Sequence, residues 1–168
     1  EVGSVDERGA PAPDCRQGEL EVRGPSVFLE YWQRPEETRQ AFRDGWFRTG
    51  DMALVDRGSY RLLGRTSIDI IKTGGFKVSA LEIEEVLRTH PCIAECAVVG
   101  IGDDEWGERV AAAVELRPGV SLSLEELQRW AKEQLARYKV PRGLKAVESL
   151  PRNAMGKVVK GDVAGLFK

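Results

Sequence analysis

Gly64-Arg65-Thr66-Ser67-Ile68-Asp69-Ile70-Ile71-Lys72-Thr73-Gly74-Gly75-Phe76-Lys77-Val78 is the stretch that decides how the chain is read. It follows an aromatic and aliphatic run, Tyr60 to Leu63. Ile68, Ile70 and Ile71 read as a short apolar strand. Gly74 and Gly75 stand where a side chain would obstruct a turn or a ligand. After Val78 the pattern turns helical, Ser79-Ala80-Leu81-Glu82-Ile83-Glu84-Glu85-Val86-Leu87. A polar, turn-rich segment therefore separates two ordered blocks. On spacing alone it is either a hinge or an ordinary hairpin followed by a helix, and the hairpin is the commoner of the two.

Working outward, Ala80 to Thr89 is predicted as an amphipathic helix, with Leu81, Val86 and Leu87 buried and Glu82, Glu84 and Glu85 solvated. His90-Pro91 ends it, and His90, the only histidine, is expected as a cap at the helix end rather than a catalytic base. Ile93 to Ile101 and Arg109 to Leu116 read as strands. Ser123 and Glu126 form a capping box for a helix running to about Tyr138, in which Trp130 and Tyr138 serve packing. Leu144 to Leu150 reads as a third strand. Helix, strand, strand, helix, strand describes a small α+β domain.

Upstream, residues 1–17 read as a loop. Gly18 to Val22 is a strand ending at Gly24-Pro25. Pro35 to Phe42 is a short helix with early acids. Asp44-Gly45 turns into a strand, and Met52 to Leu63 is a hairpin about Asp56-Arg57-Gly58-Ser59.

Of the 168 residues, 42% are hydrophobic and 31% charged, with a net charge of −2. This is a globular composition, and it points to neither a nucleic-acid nor a membrane-surface partner. No apolar run is long enough to span a bilayer. Cys15, Cys92 and Cys96 lack metal-like pairing and are expected to be buried free thiols in a reducing compartment. Asp103-Asp104-Glu105 fits no metal-loop template and reads as a solvated turn, so no metal site is expected. The chain opens on Glu1 rather than Met, which predicts a piece of a longer protein.

Three stretches carry a resemblance, in order along the chain. Phe47-Arg48-Thr49-Gly50-Asp51 is similar to the aromatic-Arg-Thr-Gly-Asp motif of the acyl-adenylate-forming superfamily. Gly64 to Glu84 resembles its hinge segment. Pro151-Arg152-Asn153-Ala154-Met155-Gly156-Lys157-Val158-Val159-Lys160 resembles its C-terminal lysine motif. One such match would be weak; three in sequence are specific. The superfamily contains acyl-CoA synthetases, luciferases and peptide-synthetase adenylation domains. The resemblance departs from the family pattern at Glu30, where relatives often carry glycine. It also departs in a segment one residue longer before Gly74.

The resemblance implies two parts. Residues 1–65 would be the β-rich end of a large N-terminal adenylating domain that is otherwise missing here. Residues 66–168 would be the mobile C-terminal domain, an α+β fold with a three-stranded antiparallel sheet flanked by helices. The hinge would lie near 65–69, at Ser67 or Asp69.

The resemblance also implies roles. Asp51 would hold the ATP ribose, since an ionised carboxylate offers a diol two acceptor oxygens; the plainer reading is a turn aspartate. Arg65 would contact the nucleotide with fixed, permanently charged donors; the plainer reading is a surface ion pair. Lys157 would be the catalytic lysine, a cation aimed where a carboxylate attacks the α-phosphate; the plainer reading is a solvated tail lysine, as Lys160 and Lys168 are read. Gly74 and Gly75 would line a CoA channel, with Lys77 near a CoA phosphate.

The co-substrates implied are ATP with Mg²⁺, CoA and a small-molecule carboxylate. Arg65 to Glu82, Gly24 to Phe28 and Arg152 to Lys157 most resemble the malonyl-CoA synthetase branch, the group that includes acyl-CoA synthetase family member 3. An AMP-forming acid–thiol ligase making malonyl-CoA is therefore expected, in the cytoplasm or the mitochondrial matrix. This stretch alone should not turn over. The alternatives are a medium- or long-chain acyl-CoA synthetase, a carrier-protein adenylation domain, or a noncatalytic interaction module of the same fold.

Overall fold

The computed structural model describes residues 1–168. The chain forms two compact units, Glu1–Ser67 and Ile68–Lys168.

The first unit is a five-stranded sheet with one short helix. β1 (Val2–Val5) pairs antiparallel with β2 (Gln17–Val22), and β2 with the long β4 (Trp46–Asp56). The other edge of β4 takes β3 (Phe42–Arg43) at its start and β5 (Ser59–Arg65) at its end. Both hairpin turns have two residues: Asp44-Gly45 at φ 48° and 79°, and Arg57-Gly58 at φ 48° and 78°. This left-handed pair matches the right-handed twist of the flanking strands. Helix α1 (Pro35–Ala41) begins with Pro at its first turn and has acids at Glu36 and Glu37. Phe28 packs edge-on against Phe42 and Phe47, which are tilted on one another, with centroids 5.0–5.5 Å apart, bracing the start of β4.

The second unit is α+β, but its sheet has five strands rather than three. β6 (Ile70–Thr73) and β7 (Phe76–Ser79) form a hairpin that joins the sheet through Thr73 and Gly107. β8 (Ile93–Asp103) runs antiparallel along one edge of β9 (Gly107–Leu116). β10 (Gly143–Val147) pairs with β9 in parallel, which corrects the all-antiparallel expectation. The reason is connectivity: a long crossover through a helix returns the chain in the same direction as β9.

β8 and β9 are covered on both faces. Cys96, Val98, Val110, Ala112 and Val114 face one core with Ile83, Leu87 and Leu127. Ala97, Val99, Ala111 and Ala113 face a second with Leu150 and Val163. Two buried faces explain why these strands are nearly continuous apolar runs instead of alternating ones. Helix α2 (Ala80–Leu87) and helix α3 (Leu124–Ala131) cover the first face, and the short α4 (Lys160–Gly165) covers the second through Val163.

Several details differ from the sequence reading. α2 buries Ala80, Ile83, Glu84 and Leu87, a strict i, i+3, i+4, i+7 stripe, so Glu84 is inside rather than solvated. α3 carries the expected capping box at Ser123 and Glu126 but ends at Ala131, and Arg137–Lys139 is a separate 3₁₀ turn. Ile68 is exposed and precedes the strand. Of the thiols only Cys96 is buried; Cys15 is exposed, at φ 62° in a turn, and Cys92 is half-buried. His90 is buried, yet its Nδ1 accepts the Cys92 N–H at 3.1 Å, so the ring caps the next turn rather than the helix. No helix is long and apolar enough to cross a membrane.

Candidate functional site

In the first unit, Asp51 and Arg65 occupy opposite positions on β4 and β5. Arg65 Nε lies 3.2 Å from Asp51 Oδ1, and Arg65 Nη1 donates to the Thr49 carbonyl at 3.2 Å. The Thr49 hydroxyl donates to the Leu20 carbonyl at 2.8 Å and accepts the Asp51 N–H at 3.1 Å, which anchors this irregular part of β4 to β2. Gly50 has φ 74° and its carbonyl accepts the Thr66 N–H at 2.9 Å. A Cβ there would stand in ordinary contact, 3.4 Å from Arg65 Nη1, so it is the left-handed backbone that calls for glycine. The pair borders a cleft of about 510 Å³ with Glu19, Tyr31, Arg48 and Thr49 on its wall. Arg48 is held by Glu19 at 2.8 Å. The cleft thus presents a carboxylate with two acceptor oxygens beside a guanidinium.

In the second unit, Gly74 and Gly75 are the two-residue turn between β6 and β7, at φ 55° and 80°. A Cβ at Gly74 would meet the Trp106 ring at 2.8 Å; one at Gly75 would meet nothing within 4 Å. The Gly74 N–H donates to the Trp106 carbonyl at 2.9 Å, and the Lys72 N–H to the Glu108 carboxylate at 2.6 Å, which pins the hairpin to the β8–β9 loop and the start of β9. Lys77 sits on β7 opposite Lys72 and is half-buried.

Next to this turn is a cleft of about 530 Å³, lined by Phe76, Trp106, Lys132, Arg137, Tyr138 and Arg142 among others. Phe76 stacks on Tyr138 with centroids 4.2 Å apart, and the Arg142 guanidinium lies 3.6 Å over the Trp106 ring. The buried Trp106 Nε1 has no hydrogen-bond partner. The sequence placed Tyr138 among packing residues and Trp106 just after the acidic turn Asp103-Asp104-Glu105; only folding brings them to one wall.

Lys157 closes a tight loop between Arg152 and Val158, which form an isolated antiparallel bridge. Asn153 organises it: its Oδ1 accepts the N–H groups of both Met155 and Lys157 at 3.0 Å. Its own N–H donates to the Lys157 carbonyl at 2.9 Å, and its carbonyl accepts the Gly156 N–H at 2.9 Å. Gly156 takes φ 78°. The Lys157 side chain is exposed. The organising asparagine was a motif letter in the sequence; an Asx turn closing on a glycine was the signal for it.

The two hinge candidates differ. Ser67 is exposed. Asp69 is tied down twice: its carbonyl accepts the Ala80 N–H at 2.7 Å, and its carboxylate accepts from Lys160 Nζ at 2.6 Å. Lys160, read as a solvated lysine, is 12% exposed at the side chain and also lies 2.9 Å from Glu84 Oε1. No group of three or more His, Cys, Asp or Glu side chains gathers where a metal ion could be held.

Residues 82–157 match the AMP-binding enzyme C-terminal domain. The chain belongs to the acyl-adenylate-forming superfamily. Within that superfamily it is 57% identical over 159 residues to the mitochondrial malonate–CoA ligase ACSF3 of Homo sapiens, covering 92% of this chain and 28% of the relative. It is 49% identical over 160 residues to a malonate–CoA ligase of Arabidopsis thaliana, covering 87% of this chain and 26% of that protein. Among solved structures, ATP-bound MatB from Rhodopseudomonas palustris superposes with a TM-score of 0.90 at 38% identity, over 100% of this chain and 34% of that one. The chain thus spans under a third of the length of the curated relatives it matches.

Proposed function

We propose that the protein carrying this chain is an AMP-forming acyl-CoA synthetase that converts malonate to malonyl-CoA. The observation that carries the reading is the 57% identity to a malonate–CoA ligase together with Asp51 and Arg65 paired across β4 and β5 and Lys157 in an ordered turn. In the first step a carboxylate oxygen attacks the α-phosphorus of ATP, the bond to the β-phosphate breaks and pyrophosphate leaves. Asp51 takes the ribose hydroxyls and Arg65 the nearby phosphate. Lys157 offsets the repulsion between the two anions, most strongly in the transition state. Mg²⁺ enters with ATP, on its phosphates.

In the second step the CoA thiolate attacks the carbonyl carbon of the acyl-adenylate and AMP leaves. Gly74 and Gly75 line the passage of the pantetheine. The cleft beside them offers aromatic faces for a base and Lys132, Arg137 and Arg142 for phosphates. The domain is proposed to turn about Ser67 between the steps. Support for Ser67 over Asp69 is that Asp69 is bonded within the second unit by Ala80 and Lys160, whereas Ser67 is exposed. The mitochondrial name of the human relative favours the matrix as the compartment.

The test is CoA-thioester formation by the whole enzyme across malonate, methylmalonate, acetate, octanoate and palmitate, with Lys157→Ala alongside. A malonate preference lost by about 10²–10³ in the variant supports the reading. Preference for a fatty acid removes the substrate assignment, and an unimpaired variant removes the role of Lys157.

A further inference from the structure

The second unit contains a connected array of charges that the reaction above does not use. Lys160 Nζ lies 2.6 Å from Asp69 Oδ1 and 2.9 Å from Glu84 Oε1. Glu84 Oε2 lies 3.5 Å from Arg88 Nη2, and Arg88 Nε donates to Glu95 Oε1 at 2.9 Å. Glu95 Oε2 faces Arg152 Nη2 at 4.0 Å. Arg152 Nη1 then donates to the Gly156 carbonyl at 2.9 Å, immediately before Lys157.

The signs alternate throughout, three carboxylates against three cations. The array enters the lysine motif at both sides of the loop, through Arg152 before it and Lys160 after it. One end of it is buried: the side chains of Asp69, Lys160 and Glu84 are 13%, 12% and 4% exposed. Glu84 Oε1 also accepts the Val98 N–H at 2.8 Å, which locks the array to β8. Burial alone would push the Glu95 carboxyl up, but the Cys96 N–H and the guanidinium groups of Arg88 and Arg152 outweigh it and hold it below the usual carboxylate range.

Replacing such buried charges by apolar groups is often neutral or stabilising, so stability gives them no clear purpose. They are directional, however. The two short bonds to Lys160 fix where it sits, and Arg152 is fixed by its bond to the Gly156 carbonyl beside the Glu95 carboxylate. The loop between them is otherwise a short polar turn whose order depends on Asn153.

We propose that this array positions Lys157, with Lys160 and Arg152 as positioning residues that hold the two flanks of the lysine loop against α2 and β8. The inference rests on the reading of Lys157 as the cation of the adenylation step. Lys160 itself is too buried, and too fully engaged by two carboxylates, to meet a substrate.

The experiment compares Lys160→Met, Lys160→Arg and Lys157→Ala in the whole enzyme. Two half-reactions are measured: ATP–pyrophosphate exchange, and CoA transfer from supplied acyl-adenylate. Lys160→Met is expected to lower kcat for exchange by about 10–10²-fold, the scale of a small misplacement of a catalytic group. KM values and CoA transfer should stay within about twofold, and Lys160→Arg should recover most of the loss. Parallel loss in both half-reactions overturns the proposal, as does normal exchange in Lys160→Met when Lys157→Ala has lost it.

If Lys157→Ala itself exchanges normally, the functional reading fails and the array is judged on the 168-residue chain. There, Lys160→Met should speed amide hydrogen exchange at Met155 and Lys157 by about tenfold or more; unchanged rates overturn the proposal. Should Lys160→Met fail to fold, Arg152→Met, at the 40% exposed end of the array, carries the same measurements with an expected fall of about threefold.

Discussion

Asp51 and Arg65 face each other across β4 and β5 with Arg65 Nε 3.2 Å from Asp51 Oδ1, and the register of the two strands shifts just beyond them, between Met52 and Ala53. The two motifs they come from are separate in sequence and become a single surface only because a hairpin pairs them. The arginine side chain is 60% exposed, so the pair itself adds little stability.

Asp51→Asn and Arg65→Ala should therefore leave the denaturation midpoint almost unchanged. In the whole enzyme each should raise KM for ATP by about tenfold, the scale of one lost charge-assisted hydrogen bond to ligand. Pyrophosphate exchange at varied ATP checks this. An unaltered KM would return both residues to the role of a surface ion pair.

The Gly74-Gly75 turn separates two costs. Gly75→Ala meets only the left-handed backbone, at φ 80° with open space around the Cβ, and should cost about 1 kcal/mol. Gly74→Ala adds a 2.8 Å approach to the Trp106 ring, so a further 1–3 kcal/mol or so is expected as the indole moves. Urea unfolding followed by tryptophan emission measures both. Equal costs would mean that Trp106 yields freely.

His90 sets a pH dependence. Burial holds its pKa below the usual 6.5, with the Glu126 carboxylate working weakly the other way. The ring packs edge-on against Trp130 at 4.8 Å and accepts the Cys92 N–H, which requires the neutral form. The folded state therefore binds the proton less well than the unfolded chain. Stability from this site is complete above about pH 6.5 and falls as the pH drops through the lowered folded value. Urea midpoints between pH 7.5 and 5 should show this fall, and His90→Gln should flatten it.

The thiols should react in order of exposure. Cys15 should label rapidly with a thiol reagent in the native chain, and Cys92 more slowly. Cys96 should label only on unfolding, because desolvation by the core pushes its pKa up to about 12 and its Sγ points at the Glu84 carbonyl. Mass spectrometry of timed alkylation distinguishes the three.

Much of the fold was legible because its signals are local. Asp44-Gly45 and Arg57-Gly58 announce two-residue turns, Ser123 and Glu126 announce a helix start, and Ile93 to Ile101 has no helical period. The strand count was not legible. Ile70 to Ser79 is too short to reveal which sheet it joins, and only the pairing of Thr73 with Gly107 settles it. α3 stops at Ala131 although good helix formers continue to Leu135; there Leu135 turns into the core instead. Asp51, Arg65 and Lys157 were legible as motif letters, whereas Trp106 and Arg142, stacked on one another, carried no sequence signal.

By itself, then, the sequence determined what depends on neighbours in the chain: the turns, the caps, the alternation of strand and helix, and the three motifs in order. Tertiary structure alone decided the parallel pairing of β10 and the burial of both faces of β8 and β9. It also decided the fate of Glu84 and Lys160, two charges that every local rule sends to solvent. Periodicity tells which side of a helix faces inward but not what charge waits there. Lys160 finds Asp69 across a separation of 91 residues, and a pairing at that range exists only once the core has closed.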